Sequence, residues 1–219
     1  IDRIDRARVS GGECLRVIDY KTGGREFDFS GVLQGLTLQL PLYLAAASAN
    51  GQIRAGLYYM PVTQPAVSDS EEDIEGAVAD AFRLQGLTVS NIEVLRASES
   101  GMSGASSVLD KVKQTGEDAY TGSVCTFGEL ESLLELARKK SEETLERMLS
   151  GEMTASPAAR KKNHPACEYC EYNSVCRFDP ATPGCTVRLY KTVKQADFFE
   201  LLARDGENHA GGDADALYE

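Results

Sequence analysis

The sequence is poor in the features that would place it in a membrane or on a secretory route. No run of about 18 apolar residues is present, so no segment suits a membrane-crossing helix. No signal-peptide pattern is found either, and a cytoplasmic protein without membrane contact is expected. Basic charge is scarce: 23 Lys and Arg stand against 34 Asp and Glu, for a net charge of -11. This excludes a simple basic nucleic-acid binder. It leaves room for a nucleic-acid enzyme whose positive charge comes from bound metal or from another domain. There is no internal repeat. The chain also lacks an initiator Met and opens directly on the strand-like "IDRIDRARV", so we expect a fragment of a longer protein, truncated at its N-terminus.

What is present is enough for a core. The hydrophobic share is 42% of 219 residues, which suits one large domain or one domain with appendages. Residues 1–9 and 14–20 read as two antiparallel strands joined at "SGGE", where glycines tolerate positive phi. "FDFSGVLQGLTLQLPLYLAAAS" reads as one helix capped by Ser30 and bent at Pro41. "RAGLYYMPV" is a third strand. Residues 70–84 form an acidic helix in which Ser70 and Asp73 resemble a capping box. "QGLTVSNIEVLRAS" is ambiguous between strand and helix, and "SESGMSGASS" is a flexible loop. The helix after Thr126 carries a capping box with Glu129 and ends at Gly151. "RLYKTVKQADFFELLAR" gives a short strand and a helix. The tail, residues 205–219, is polar, Gly-rich and acidic, and is expected to be disordered.

Chemistry concentrates in "RVIDYKTG" (16–23). Residues i and i+2 of a strand share a face, so Asp19 and Lys21 point together and Tyr20 points away. A carboxylate is a hard ligand for Mg2+ or Mn2+. An ammonium beside it can orient water or stabilise charge growing on a phosphate. A second carboxylate would come from "IDRID". Asp2 and Asp5 are three apart, so in a regular strand they face opposite ways. Which of them reaches Asp19 depends on a register that remains open here. A solvated ion pair at a strand edge is the plainer reading of "DYK" taken alone.

Taken together, "IDRID", "LRVIDYKTG" and "GLTLQLPLYL" resemble the PD-(D/E)xK nuclease domain of the RecB family, in the form found at the C-terminus of AddB (RexB) type helicase-nuclease subunits. The family pattern is Gly-x-x-Asp on one strand, Asp-x-Lys on the next and Gln-x-x-x-Tyr on the following helix. Ile1-Asp2 matches the end of the first element, Asp19 and Lys21 the second, Gln39 and Tyr43 the third. The resemblance implies Asp2 and Asp19 as Mg2+ (or Mn2+) ligands with the Tyr20 carbonyl, Asp5 being the alternative to Asp2. It implies Lys21 as the catalytic lysine, with Gln39 and Tyr43 beside the active site and DNA. The family's histidine precedes the first aspartate, so neither His164 nor His209 matches it.

The six cysteines are unevenly spread. Cys14, Cys125 and Cys185 are scattered, whereas Cys167-x2-Cys170-x5-Cys176 has spacing suited to metal ligation. Zinc with His164 or Cys185 as fourth ligand and an iron–sulfur centre both fit that spacing. The resemblance implies a structural 4Fe-4S cluster in the full-length protein, with a fourth cysteine upstream of the catalytic strands. The site is therefore expected to be incomplete within these 219 residues.

The expected architecture is an α/β, restriction-endonuclease-like core with a central mixed sheet flanked by helices. The nuclease domain spans residues 1–200, with a catalytic core at 1–62, a helical middle at 70–151 and a cysteine segment at 164–185. The implied activity is metal-dependent exonucleolytic hydrolysis of DNA during double-strand-break repair, in a heterodimer with an AddA-type helicase-nuclease subunit. Two alternatives are a stand-alone RecB-family exonuclease of the CRISPR-associated kind and a zinc-stabilised, non-catalytic interaction module.

Overall fold

A computed structural model describes residues 1–23, 26–48, 51–63, 73–160, 167, 170–183 and 185–209, the last four of these by backbone alone. The chain divides into two compact units. The first comprises Ile1–Phe27 and Leu38–Glu135, the second Asp28–Thr37 and Leu136–Glu219.

The first unit is built on a five-stranded mixed sheet. β1 (Arg3–Val9) and β2 (Gly12–Lys21) form an antiparallel hairpin in which Val9 pairs with Gly12. The turn needs Gly12, whose φ of +126° is hostile to a side chain. β3 (Ile53–Pro61) runs parallel to β2, with a bulge between Leu15 and Arg16 where Ala55 is skipped. β4 (Gln85–Val89) is antiparallel to β3, and β7 (Val124–Cys125) parallel to β4, giving the order β1-β2-β3-β4-β7. The expected α/β class and mixed central sheet are therefore observed.

Both faces of this sheet are covered, so β2 and β3 are apolar on both sides. On one face Ile18 and Tyr58 pack with Leu84, Leu95, Leu109 and Val112. Leu95 belongs to α4 (Ile92–Ser98), which Asn91 caps by accepting from the N–H groups of Glu93 and Val94. The other face carries Val17 and Leu57 and receives α2 (Gln39–Ala47) through Leu40 and Leu44; none of these four is exposed.

Four expectations change here. The single helix over residues 30–48 is two helices, α1 (Phe29–Leu33) and α2. Gly35, at φ +73°, stops α1: its N–H donates to the Val32 carbonyl, and that of Leu36 to Gly31. Pro41 does not bend α2, because it sits in the first turn, where a missing N–H breaks no intrahelical bond. The ambiguous stretch resolves into β4 followed by α4. The middle of the chain is not all helical. Besides β4 and β7 it holds a hairpin of β5 (Val112–Gln114) and β6 (Tyr120–Gly122). The loop before β5 is pinned by Glu99, which accepts from the Ser106 hydroxyl and from the N–H and hydroxyl of Ser107. Ser106 itself is buried.

α3 (Ile74–Ala81) is capped by Asp73, which accepts from the Gly76 N–H at 2.9 Å; Ser70 lies outside the described residues. α5 (Phe127–Leu149) starts with the expected box. Thr126 N donates to Glu129 Oε2 (2.7 Å), and Glu129 N to Thr126 Oγ1 (3.1 Å). Gly151, at φ +76°, terminates it.

The second unit holds α1, the later part of α5, the parallel pair β8 (Ala158–Ala159) and β9 (Arg188–Leu189), the one-turn α6 (Asn173–Cys176) and α7 (Gln195–His209). Phe29 meets Phe198 and Phe199 at centroid distances of 5.1 and 6.0 Å, which packs α1 on α7. α7 continues over residues 205–209, and residues 210–219 lie outside the described part.

Candidate active site

Five of the residues singled out in the sequence come from three elements of the first unit. Arg3 pairs with Ile18 across β1 and β2. One further step of the same antiparallel register sets Asp2 opposite Asp19, and opposite residues share a face. Asp2 also reaches the second strand directly, since its Oδ2 accepts from the Tyr20 N–H at 2.7 Å. Asp5 pairs with Arg16 instead and lies on the other face. There its carboxylate accepts from Arg3 (2.6 Å) and Arg16 (3.0 Å). Burial alone would raise the Asp5 carboxyl, but these two guanidinium hydrogen bonds outweigh it and hold it below the usual carboxylate range. The structure thus brings Asp2 to Asp19 and does not bring Asp5.

Asp19 is 4% exposed. Lys21 Nζ stands 2.5 Å from its Oδ2. Gln39, the first residue of α2, joins the pair. Its Nε2 donates to Asp19 Oδ1 (3.2 Å) and to the Tyr43 hydroxyl (3.0 Å), and its Oε1 accepts from Lys21 Nζ (3.1 Å). Gln39 and Tyr43 meet because they are four apart on one helix. Lys21 also faces the ring of Tyr59, 5.4 Å from Nζ to centroid. Tyr59 pairs with Asp19 in the parallel β2–β3 register. Sequence reasoning missed Tyr59. It is one of two adjacent tyrosines in a strand, and only the β2–β3 register tells which of them shares a face with Asp19.

A hard divalent cation fits this donor set. Two carboxylates face each other, and the Tyr20 carbonyl lies on the same strand as one of them. Asp19 Oδ2 is enclosed and, close as the ammonium is, receives no aligned hydrogen bond, so a lone pair of a buried carboxylate oxygen is unspent.

The cysteines divide as their spacing suggests. Cys14 and Cys125 are buried in the sheet of the first unit. Burial pushes the Cys14 thiol up and that of Cys125 to about 12, which disfavours the thiolate a metal needs. Cys167, Cys170 and Cys176 lie in the second unit on successive tight turns. Cys170 N donates to Cys167 O at 3.2 Å, and Cys176 N to Tyr172 O at 2.9 Å. Cys185 is half-buried in the same unit, and His164 falls outside the described residues. Among the described residues no three His, Cys, Asp or Glu side chains are arranged around one metal position.

Comparison with known families matches residues 1–177 to the PD-(D/E)XK nuclease superfamily. Among curated proteins, the chain is similar to the ATP-dependent helicase/deoxyribonuclease subunit of the AddB type from Clostridium botulinum (strain Hall): 34% identical over 217 residues, covering 93% of this chain and 19% of that protein. The protein of the same name from Clostridium novyi is 30% identical over 218 residues, covering 94% and 19%. That of Acetivibrio thermocellus is 28% identical over 219 residues, again covering 94% and 19%. The chain thus spans 19% of the length of these relatives.

Proposed function

Because the chain belongs to the PD-(D/E)XK nuclease superfamily, we propose that it is the nuclease domain of a helicase-nuclease subunit and hydrolyses DNA phosphodiesters with a divalent metal, Mg2+ or Mn2+. The observation that carries this reading is the buried Asp19 carboxylate with the Lys21 ammonium 2.5 Å away and Asp2 across the hairpin. An ordinary strand-edge pair would be solvated. This one is enclosed, bridged by Gln39, and faces a second acid.

Asp2, Asp19 and the Tyr20 carbonyl would hold the metal, with Asp5 excluded by its face. Bound there, the ion supplies Lewis acidity and charge neutralisation for the phosphate. The chain's own groups do the rest. Asp19 keeps its carboxylate fixed through Gln39. The Lys21 ammonium, 22% exposed, offers its protons to a phosphate oxygen that gains charge, or to the attacking water. Gln39 and Tyr43 line the approach from α2 and supply polar contacts for the DNA strand.

The names of the relatives support a large subunit over a stand-alone exonuclease. By the same reading the activity is exonucleolytic, acts on strands unwound together with an AddA-type partner, and serves processing of double-strand breaks in the cytoplasm. Cys167, Cys170 and Cys176, with a fourth ligand from outside these residues, would bind a 4Fe-4S cluster with a structural role.

The direct test is Asp19→Ala in the full-length protein with its partner. Loss of DNA cleavage with retained ATP-driven unwinding is expected. Undiminished cleavage of the strand assigned to this subunit would sink the reading.

A further inference from the structure

Lys21 is held from three sides, and the acid–lysine–glutamine–tyrosine pattern accounts for only two of them. Asp19 Oδ2 lies 2.5 Å from Nζ, and Gln39 Oε1 accepts from it at 3.1 Å. The third side is the ring of Tyr59, 5.4 Å away. Tyr59 is 2% exposed and comes from β3, where it is paired with Asp19. Packed to that degree in the centre of a sheet, its ring presents a fixed face.

The two polar partners cannot fix the amine alone. The contact with Asp19 is close but not aligned as a hydrogen bond, so it attracts without giving direction. Gln39 is exposed at the start of α2. A four-carbon stem with 22% of its side chain in solvent has rotamers that lead away from the acids. The negative face of a buried aromatic ring attracts an ammonium, and does so more strongly where water is partly excluded. The neighbouring tyrosine does not provide this. Tyr58 faces the other side of the sheet and stacks with the Arg16 guanidinium at 5.8 Å.

Resting on the nuclease reading, we propose that Tyr59 is the positioning residue for Lys21: its ring holds the ammonium over the paired carboxylates. Tyr59 touches neither substrate nor metal in this role and acts through the lysine. The ring face carries the effect, so phenylalanine should serve as well as tyrosine.

The test uses the full-length protein. A lysine-directed acylating reagent, read by mass spectrometry without DNA or metal, compares Lys21 with Lys113 and Lys139 in the same molecule. Tyr59→Met removes the ring and keeps most of the volume. It should raise Lys21 labelling severalfold relative to the two reference lysines. It should also lower kcat roughly tenfold with KM for DNA unchanged. Tyr59→Phe should match the parent in both. Tyr59→Leu repeats the comparison should the methionine variant unfold, which a rise at all three lysines would reveal. Unchanged Lys21 labelling in a folded ringless variant overturns the proposal, as does Tyr59→Phe behaving like Tyr59→Met. Normal cleavage by Lys21→Ala would instead remove the nuclease reading. The labelling comparison would still decide whether the ring holds the amine.

Discussion

Asp2 stands across the first hairpin from Asp19, one antiparallel step beyond the Arg3–Ile18 pair. Asp2→Ala should therefore weaken Mn2+ binding and lower cleavage by more than about 100-fold, since even partners outside the coordination shell commonly cost 10- to 100-fold. Asp5→Ala removes the partner of Arg3 and Arg16 on the other face. It should cost stability while leaving Mn2+ affinity within about threefold. Titration calorimetry with Mn2+ on both variants separates the two acids.

Lys21→Ala should lower the cleavage rate by roughly 10²- to 10³-fold, the usual loss when one preorganised donor to a charged transition state is removed. Unwinding by the intact complex should be unchanged. Strand-specific degradation assays with end-labelled duplex DNA check both halves of this expectation.

Acid should loosen the hairpin before it unfolds the sheet. Glu93 of α4 accepts from the N–H and hydroxyl of Ser10 in the β1–β2 turn. Those hydrogen bonds hold its carboxyl below the ordinary 4.5. A carboxyl whose folded value is depressed stabilises above its unfolded value and loses that contribution as pH falls through the folded one. Hydrogen exchange at the Ser10 amide, corrected for intrinsic rate, should therefore speed up below about pH 4.5. Glu93→Gln should exchange faster already at neutral pH and show less of this acid dependence.

Gly86→Ala should lower the urea midpoint of this domain, at a cost of about 1–3 kcal/mol. A Cβ at residue 86 would meet the Leu57 carbonyl oxygen at 2.0 Å, and that oxygen belongs to the facing strand. Unlike a flexible side chain, it cannot yield without shifting the β3–β4 ladder. Urea-dependent proteolysis of the parent and variant proteins measures the difference.

Cys170→Ala should abolish any visible absorption and iron content that anaerobically purified full-length protein carries. Zinc at one equivalent, with no iron, would favour Cys185 or His164 as the fourth ligand instead.

Much of the site was legible because strand and helix periods alone decide it. Asp19 and Lys21 share a face by alternation, Gln39 and Tyr43 by the turn of a helix, and Thr126 with Glu129 is a cap readable in four letters. What was not legible depended on partners far along the chain. The choice between Asp2 and Asp5 needed the hairpin register, which one residue of slip would reverse. Tyr59 needed the parallel register of β2 and β3. β5, β6 and β7 are two or three residues long and exist through pairing rather than propensity. The break between α1 and α2 was visible in principle as "LQGL" (33–36), a helix stop written in a glycine. The apolar periodicity running across it obscured that signal.

Gln39 is connected so that each end of its amide sees the opposite sign. The donor end faces the Asp19 carboxylate and a phenolic oxygen, and the acceptor end faces an ammonium. A glutamate here would set two anions against each other, a lysine two cations, and an asparagine would fall a methylene short. The position therefore tolerates almost no exchange, even though the side chain lies at the surface, where variation is ordinarily free.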